Sequence, residues 1–127
     1  MGNLEYHRAW KKEYRKTKIG KAGQLLGSAK SRAKAKKLEI SITKEWILKK
    51  LEFGVCELSG LPFDFSPTGK TNRNPFSPSI DRIDSNKGYI QDNCRLIILS
   101  MNDALNQYGL EHFLKVATAV IDKQKEN

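Results

Sequence analysis

All four prolines of this 127-residue chain, Pro62, Pro67, Pro75 and Pro78, fall in one short stretch. Proline has no backbone N–H to donate and fixes its own φ, so no helix runs through such a stretch. The surrounding segment, 55–79, is also rich in Gly, Ser, Thr and Asn, and it reads as loops and short strands. Helical periodicity lies on either side of it. Before it, Tyr6, Trp10 and Tyr14 recur at four-residue spacing with Lys and Arg between them, a stripe suited to packing on the body of a protein. Gly20 and Gly23 interrupt that pattern, and an Ala- and Lys-rich helix follows over roughly 22–37, with Ala22, Ala29 and Ala33 along its length. Leu38–Ile42 alternates apolar and polar residues. Thr43 is placed to cap a helix carrying Trp46, Ile47, Leu48 and Leu51, which Gly54 closes.

Beyond the proline-rich segment, Ser79–Ile83 and Cys94–Ile98 read as two short strands around an Asn86-Lys87-Gly88 turn. From Leu99 to Lys123 the period is helical again. Met101, Leu105, Phe113, Leu114, Val116, Val120 and Ile121 supply a face for burial, and Gly109 divides the stretch into two helices. The expected fold class is α+β: a basic helical N-terminal arm over 1–54, then a core over 55–127 that ends in a C-terminal helix.

The length leaves room for one hydrophobic core. No apolar run approaches the roughly 18 residues that cross a bilayer, and the first residues lack the apolar stretch of a secretory signal. Two cysteines are too few for a disulfide scaffold. These features predict a cytoplasmic protein with no membrane partner. Its formal charge is +9, and the distribution says more than the total. Residues 1–37 carry 12 Lys or Arg against only Glu5 and Glu13, whereas the remaining residues are nearly neutral. Such a one-sided cationic arm suits a polyanion, because each Lys or Arg that neutralises a phosphate releases condensed counterions.

Chemistry concentrates in 81–102. Asp81 follows Ile80 at a strand end, and Asn93 and Asn102 lie downstream. Carboxylate and amide oxygens suit a hard cation such as Mg²⁺, although the same residue types also form turns and cap helices. The ordered set Cys56-Glu-Leu-Ser59-Gly60, Ser79-Ile-Asp81-Arg82-Ile83-Asp84, Gly88-Tyr89, Asp92-Asn93-Cys94-Arg95-Leu96-Ile97 and Met101-Asn102 resembles the HNH endonucleases. It is similar above all to the small stand-alone and homing-type enzymes encoded by phages, which act inside the bacterial host.

The resemblance implies a ββα-metal (His-Me finger) core and a divalent-metal-dependent hydrolysis of DNA phosphodiesters. It makes Asp81 and Asn102 the ligands of Mg²⁺ or Mn²⁺, positioned to stabilise the leaving 3′ oxygen. It makes Asn93 the residue that braces the loop between the strands. The partner it implies is double-stranded DNA. Arg8, Lys11, Lys12, Arg15, Lys16, Lys30, Arg32, Lys34, Lys36 and Lys37 of the arm, with Lys87 of the loop, grip its backbone.

Two positions depart from the family pattern. Arg82 stands where the general-base His follows the Asp, and a guanidinium collects no proton at neutral pH, so its expected role is that of an active-site cation. The base then falls to Tyr89, His112, another water on the metal, or the substrate itself. The second departure is in the zinc pairs that many such proteins carry: Cys56 faces Ser59 in the first, and Ile98 and Met101 occupy the second, so no structural zinc is expected. Asp84 either pairs with Arg82 or caps the turn at 85–88, and Lys70 and Arg73 either touch phosphates or are simply solvated. The competing function is a degenerate HNH-fold module that binds DNA without cutting it, and an RNA-binding structural protein also fits the charge.

Overall fold

The computed structural model describes residues 5, 6, 8, 17–66 and 73–126. Lys11, Lys12, Arg15, Lys16 and Lys70, together with Trp10 and Tyr14, lie outside the described residues. Among the described residues, four complete helices and a two-stranded antiparallel sheet make an α+β architecture.

Helix α1 spans Lys18–Lys36 and begins earlier than the sequence pattern suggests. Thr17 supplies its N-cap, its hydroxyl oxygen accepting the Gly20 N–H at 3.0 Å. Gly20 is therefore a buried part of the first turn and no interruption. Ala22, Ala29 and Ala33 are fully buried, and these small side chains let α1 lie close to its neighbour. The helix ends where Lys37 turns left-handed (φ 56°) and the Leu38 N–H reaches the Ala33 carbonyl at 2.8 Å.

Helix α2, Lys44–Phe53, forms as its sequence signals require. Thr43 accepts the Trp46 N–H at 3.1 Å, and Gly54 (φ 89°) closes the last turn. Between the two helices, 38–42 does not join the sheet. Tyr89 donates its N–H to the Glu39 carbonyl at 2.8 Å, and the Tyr89 carbonyl accepts from Ser41 and Ile42. A Cβ on the preceding Gly88 would overlap the Glu39 backbone, so the close approach of the two segments requires glycine there.

Strands β1 (Pro78–Arg82) and β2 (Cys94–Ile98) pair with Ile80 opposite Leu96, Asp81 opposite Arg95 and Arg82 opposite Cys94. A short 3₁₀ turn, Gln91–Asn93, leads into β2. Glu57 runs beside β2: its N–H meets the Leu96 carbonyl at 2.9 Å, its carboxylate takes the Leu96 N–H at 2.5 Å, and Lys50 holds the other oxygen at 2.8 Å. Polar pairing thus ties the Cys56–Ser59 segment to the sheet. Cys56 and Cys94 are both buried free thiols.

Helix α3 (Leu99–Leu105) follows β2 directly, and α4 (Gly109–Lys125) follows a break at Asn106 and Gly109, both with positive φ. The apolar face expected to be buried on α4 is a correction. The helix has no buried residue, and Leu114, Val120 and Ile121 are each more than half exposed. Leu110 and Phe113 alone of its large apolar side chains pack on the core, because only the start of α4 lies against the rest of the described chain. One hydrophobic core unites Ala22, Ala33, Ile47 and Leu51 of the N-terminal helices with Cys56, Ile80, Leu96, Ile97 and Leu105. No described helix is long and apolar enough to cross a membrane.

Candidate functional site

Where the hairpin, α3 and the C-terminal half of α1 converge, the surface opens into a cavity of about 730 Å³. Asp81, Arg82 and Tyr89 line it from the hairpin and Asn102 and Asp103 from α3, while Arg32 and Lys36 of α1 and Arg73 of the preceding loop add cations. The Ala-mediated docking of α1 brings basic side chains of the N-terminal segment to the same place as Asp81 and Asn102.

Hydrogen bonding decides how Asn102 is oriented. Its Nδ2 donates to the Ser79 hydroxyl at 3.1 Å and to the Ile80 carbonyl at 3.2 Å. A carbonyl only accepts, so the amide nitrogen must face β1, and Oδ1 is left with no protein partner among the described residues. Ser79 is held in turn by donating to the Ile97 carbonyl at 3.0 Å. These bonds fix the first turn of α3 to the strand residue that precedes Asp81.

Asp81 is buried and only partly committed. Its Oδ2 accepts from Arg95 Nε at 2.7 Å, the two residues being direct cross-strand partners. Its Oδ1 takes no hydrogen bond from any described residue. All fully buried side-chain polar atoms among the described residues have partners, so this free oxygen is one that solvent reaches. Among the residues that line the cavity, Asp81 and Asn102 thus each carry one oxygen that takes no hydrogen bond from a described residue, on a side chain fixed through its other atom. Two hard oxygens of this kind fit a divalent cation that keeps several waters and also binds substrate phosphate.

Asn93 lies beneath this surface, in the loop. Its Nδ2 donates to the carbonyls of Gly88 (2.9 Å) and Asp84 (3.0 Å), and its Oδ1 accepts the Asp84 N–H at 2.9 Å. Both amide hydrogens and one acceptor position of the oxygen are used to close the loop, so the side chain is committed to the backbone on both of its polar atoms. Asp84 caps the turn by accepting the Asn86 N–H at 2.9 Å and makes no ion pair with Arg82. Arg82 instead donates to the carbonyls of Ser85 (2.7 Å) and Lys87 (3.0 Å), and its guanidinium stands 5.1 Å from the Tyr89 ring centre. Of the two side chains suggested as proton acceptor, Tyr89 lines the cavity, whereas His112 packs in a tilted contact with Tyr108 and does not.

The arm cations divide. Arg32 and Lys36 line the cavity, while Lys30, Lys34 and Lys37 of the same region are exposed and do not; Arg8 and the Lys87 side chain are likewise exposed outside its lining. Arg95, Ser79 and Asp103 are site residues that the sequence reading passes over. The first could have been found by laying the two strands in register, since Asp81 then falls opposite Arg95. Cys94, opposite Arg82, is pushed up to about 11 by burial, with Arg82 lowering and Asp81 raising it further.

A scan against protein-family models finds no match, and searches of curated proteins and of solved structures find none either.

Proposed function

We propose that this chain is a divalent-metal-dependent DNA endonuclease of the HNH type. In this reading Asp81 and Asn102 hold Mg²⁺ or Mn²⁺ on a ββα-metal arrangement of β1, β2 and α3. The observation that supports it is that Asp81 and Asn102, each with one oxygen free of described hydrogen-bond partners, line the same cation-rich cavity. The resemblance of about 56–105 to the HNH pattern points to the same residues. Bound there, the ion supplies Lewis-acid stabilisation of the charge that develops on a departing 3′ oxygen. The chain's own residues do the positioning: Arg95 aims Asp81, Ser79 and the Ile80 carbonyl aim Asn102, and Asn93 keeps the intervening loop closed. Cavity cations attract and orient the phosphodiester backbone.

One observation favours the second reading, a DNA-binding module that no longer cuts: Arg82 replaces the usual base and is latched onto loop carbonyls. A plasmid assay separates the two. Wild-type protein with Mg²⁺ or Mn²⁺ is expected to nick supercoiled plasmid. Asp81→Asn, which keeps an acceptor for Arg95, and Asn102→Ala should each lower the nicking rate at least about a hundredfold, the scale of losing one preorganised electrostatic contact. Duplex binding without metal should change little in either variant. Intact plasmid with every divalent metal, alongside tight duplex binding, would establish the binding module instead.

A further inference from the structure

We propose that Arg32 and Lys36 form a second phosphate subsite, holding the phosphate next to the scissile one, so that the substrate is a continuous strand running from α1 to Asp81 and Asn102. This deepens the endonuclease reading and rests on it. Four cations line the cavity, and they are not equivalent. Arg82 is anchored through Nη1 to the carbonyls of Ser85 and Lys87, which fixes it on the hairpin beside Asp81 and leaves its charge for the scissile phosphate. Arg73 pairs with Asp103 at 2.8 Å. Asp81 already has Arg95 as its counter-ion. Arg32 and Lys36 have no acidic partner among the described residues.

The two are four positions apart on α1 and so share one face. Buried Ala29 and Ala33, each three residues before one of the cations, seat that face against the body of the protein. Their positive charge is thus held at a fixed place beside the catalytic pair, unlike charges on a free arm. A phosphodiester carries one negative charge, and the scissile one is assigned to the metal locus. The unpaired cations on the α1 wall then call for another anion, and the neighbouring phosphate of the same strand is the one covalently bound to be close. Charge held on a docked helix acts on the register of the strand and therefore on the rate, as well as on affinity.

The test uses the full chain and a DNA duplex whose cut site has been mapped with wild-type protein. Single-turnover rates at saturating protein and the salt dependence of binding are compared for wild type, Arg32→Ala/Lys36→Ala and a charge-matched control, Lys49→Ala/Lys125→Ala. The expected result is a fall of about tenfold or more in the saturated rate of the first variant. Its slope of log K against log salt should also be shallower by about 2, as two lost phosphate contacts require. The control should keep the wild-type rate. A neutral methylphosphonate placed beside the scissile phosphate should slow wild type by a similar factor and slow Arg32→Ala/Lys36→Ala no further.

A variant with weakened affinity but an unchanged saturated rate overturns the subsite, as does a methylphosphonate effect that adds in full to the double substitution. Both results presuppose a wild-type protein that cuts. Failure of wild type itself to cut with any divalent metal overturns the endonuclease reading, and the subsite falls with it.

Discussion

Asn93 and Asn102 carry the same side chain on either side of β2, and the fold uses them in opposite ways. In the loop, Asn93 gives both amide hydrogens to the carbonyls of Asp84 and Gly88 and takes the Asp84 N–H on its oxygen. At the start of α3, Asn102 gives its hydrogens to Ser79 and the Ile80 carbonyl and keeps its oxygen clear of any described partner. One amide is consumed in holding backbone together; the other is held so that an atom is left over. Residue type alone does not separate a brace from a ligand. The hydrogen bonds differ: both polar atoms of Asn93 are tied to backbone, whereas Asn102 is tied through its nitrogen alone.

The comparison breaks most sharply on stability. Asn93→Ala removes three hydrogen bonds and strands backbone groups in a part-buried loop, so the free energy of unfolding should fall by about 3 kcal/mol in urea titrations. Asn102→Ala removes bonds at a half-buried turn where water can replace them, and it should cost about 1 kcal/mol while the nicking rate collapses. Equal losses of stability in the two variants would make Asn102 a second brace and remove the ground for treating it as a ligand.

Much of this was legible in the chain itself, where the signals are local. Thr43 and Gly54 mark the ends of α2 through cap chemistry confined to a few residues, and the hairpin is announced by Ile80, Leu96 and the turn between them. The start of α1 was not legible, because Gly20 has low helix propensity and argues for a break; burial of the first turn and its Thr17 cap outweigh a propensity cost of about 1 kcal/mol. The period of α4 correctly marks an amphipathic helix but is silent on what, if anything, covers it. The cavity was the least visible feature. Asp81 and Asn102 lie in a motif, but the arrival of Arg32 and Lys36 beside them depends on how Ala29 and Ala33 dock, a long-range packing outcome that no local pattern encodes.

A smaller effect sharpens the account of the loop. Gly88 sits where the loop passes the 38–42 segment, and a methyl group there would overlap the Glu39 backbone. Glu39 cannot swing aside cheaply, because its carbonyl holds the Tyr89 N–H. Gly88→Ala should therefore destabilise by about 2 kcal/mol through overpacking, only partly offset by the stiffer unfolded chain. The shift should also loosen Asn93, whose Nδ2 depends on the Gly88 carbonyl. Denaturation of Gly88→Ala and of Gly88→Ala/Asn93→Ala should then show less than additive losses, since the two changes damage one network. Full additivity would mean that the loop is fastened at two independent points.

The smallest predicted effect sets the two thiols against each other, one beside the site and one beneath Glu57. Burial pushes Cys56 up, yet hydrogen bonds from Ser59 and from the backbone of Ile98, Ser59 and Leu58 outweigh it and hold the thiol below its ordinary value. Cys94 has no such donors, and burial raises it to about 11. The unfolded chain releases the Cys94 proton near the ordinary value of 9.0, while the folded protein keeps it until about 11. The stabilising contribution is therefore complete below pH 9 and is lost as pH rises through 11, by about 1–2 kcal/mol. Cys56 runs in the opposite sense and partly offsets that loss. To isolate Cys94 the measurement is a difference: wild type and Cys94→Ala unfolded in urea at successive pH values. The gap between them should be constant up to pH 9 and narrow above it as the wild-type protein alone loses the Cys94 contribution. A gap that stays level to pH 11 would show that Cys94 ionises as freely in the folded hairpin as in the open chain, and the strand end beside Arg82 would then be wetter than its burial implies.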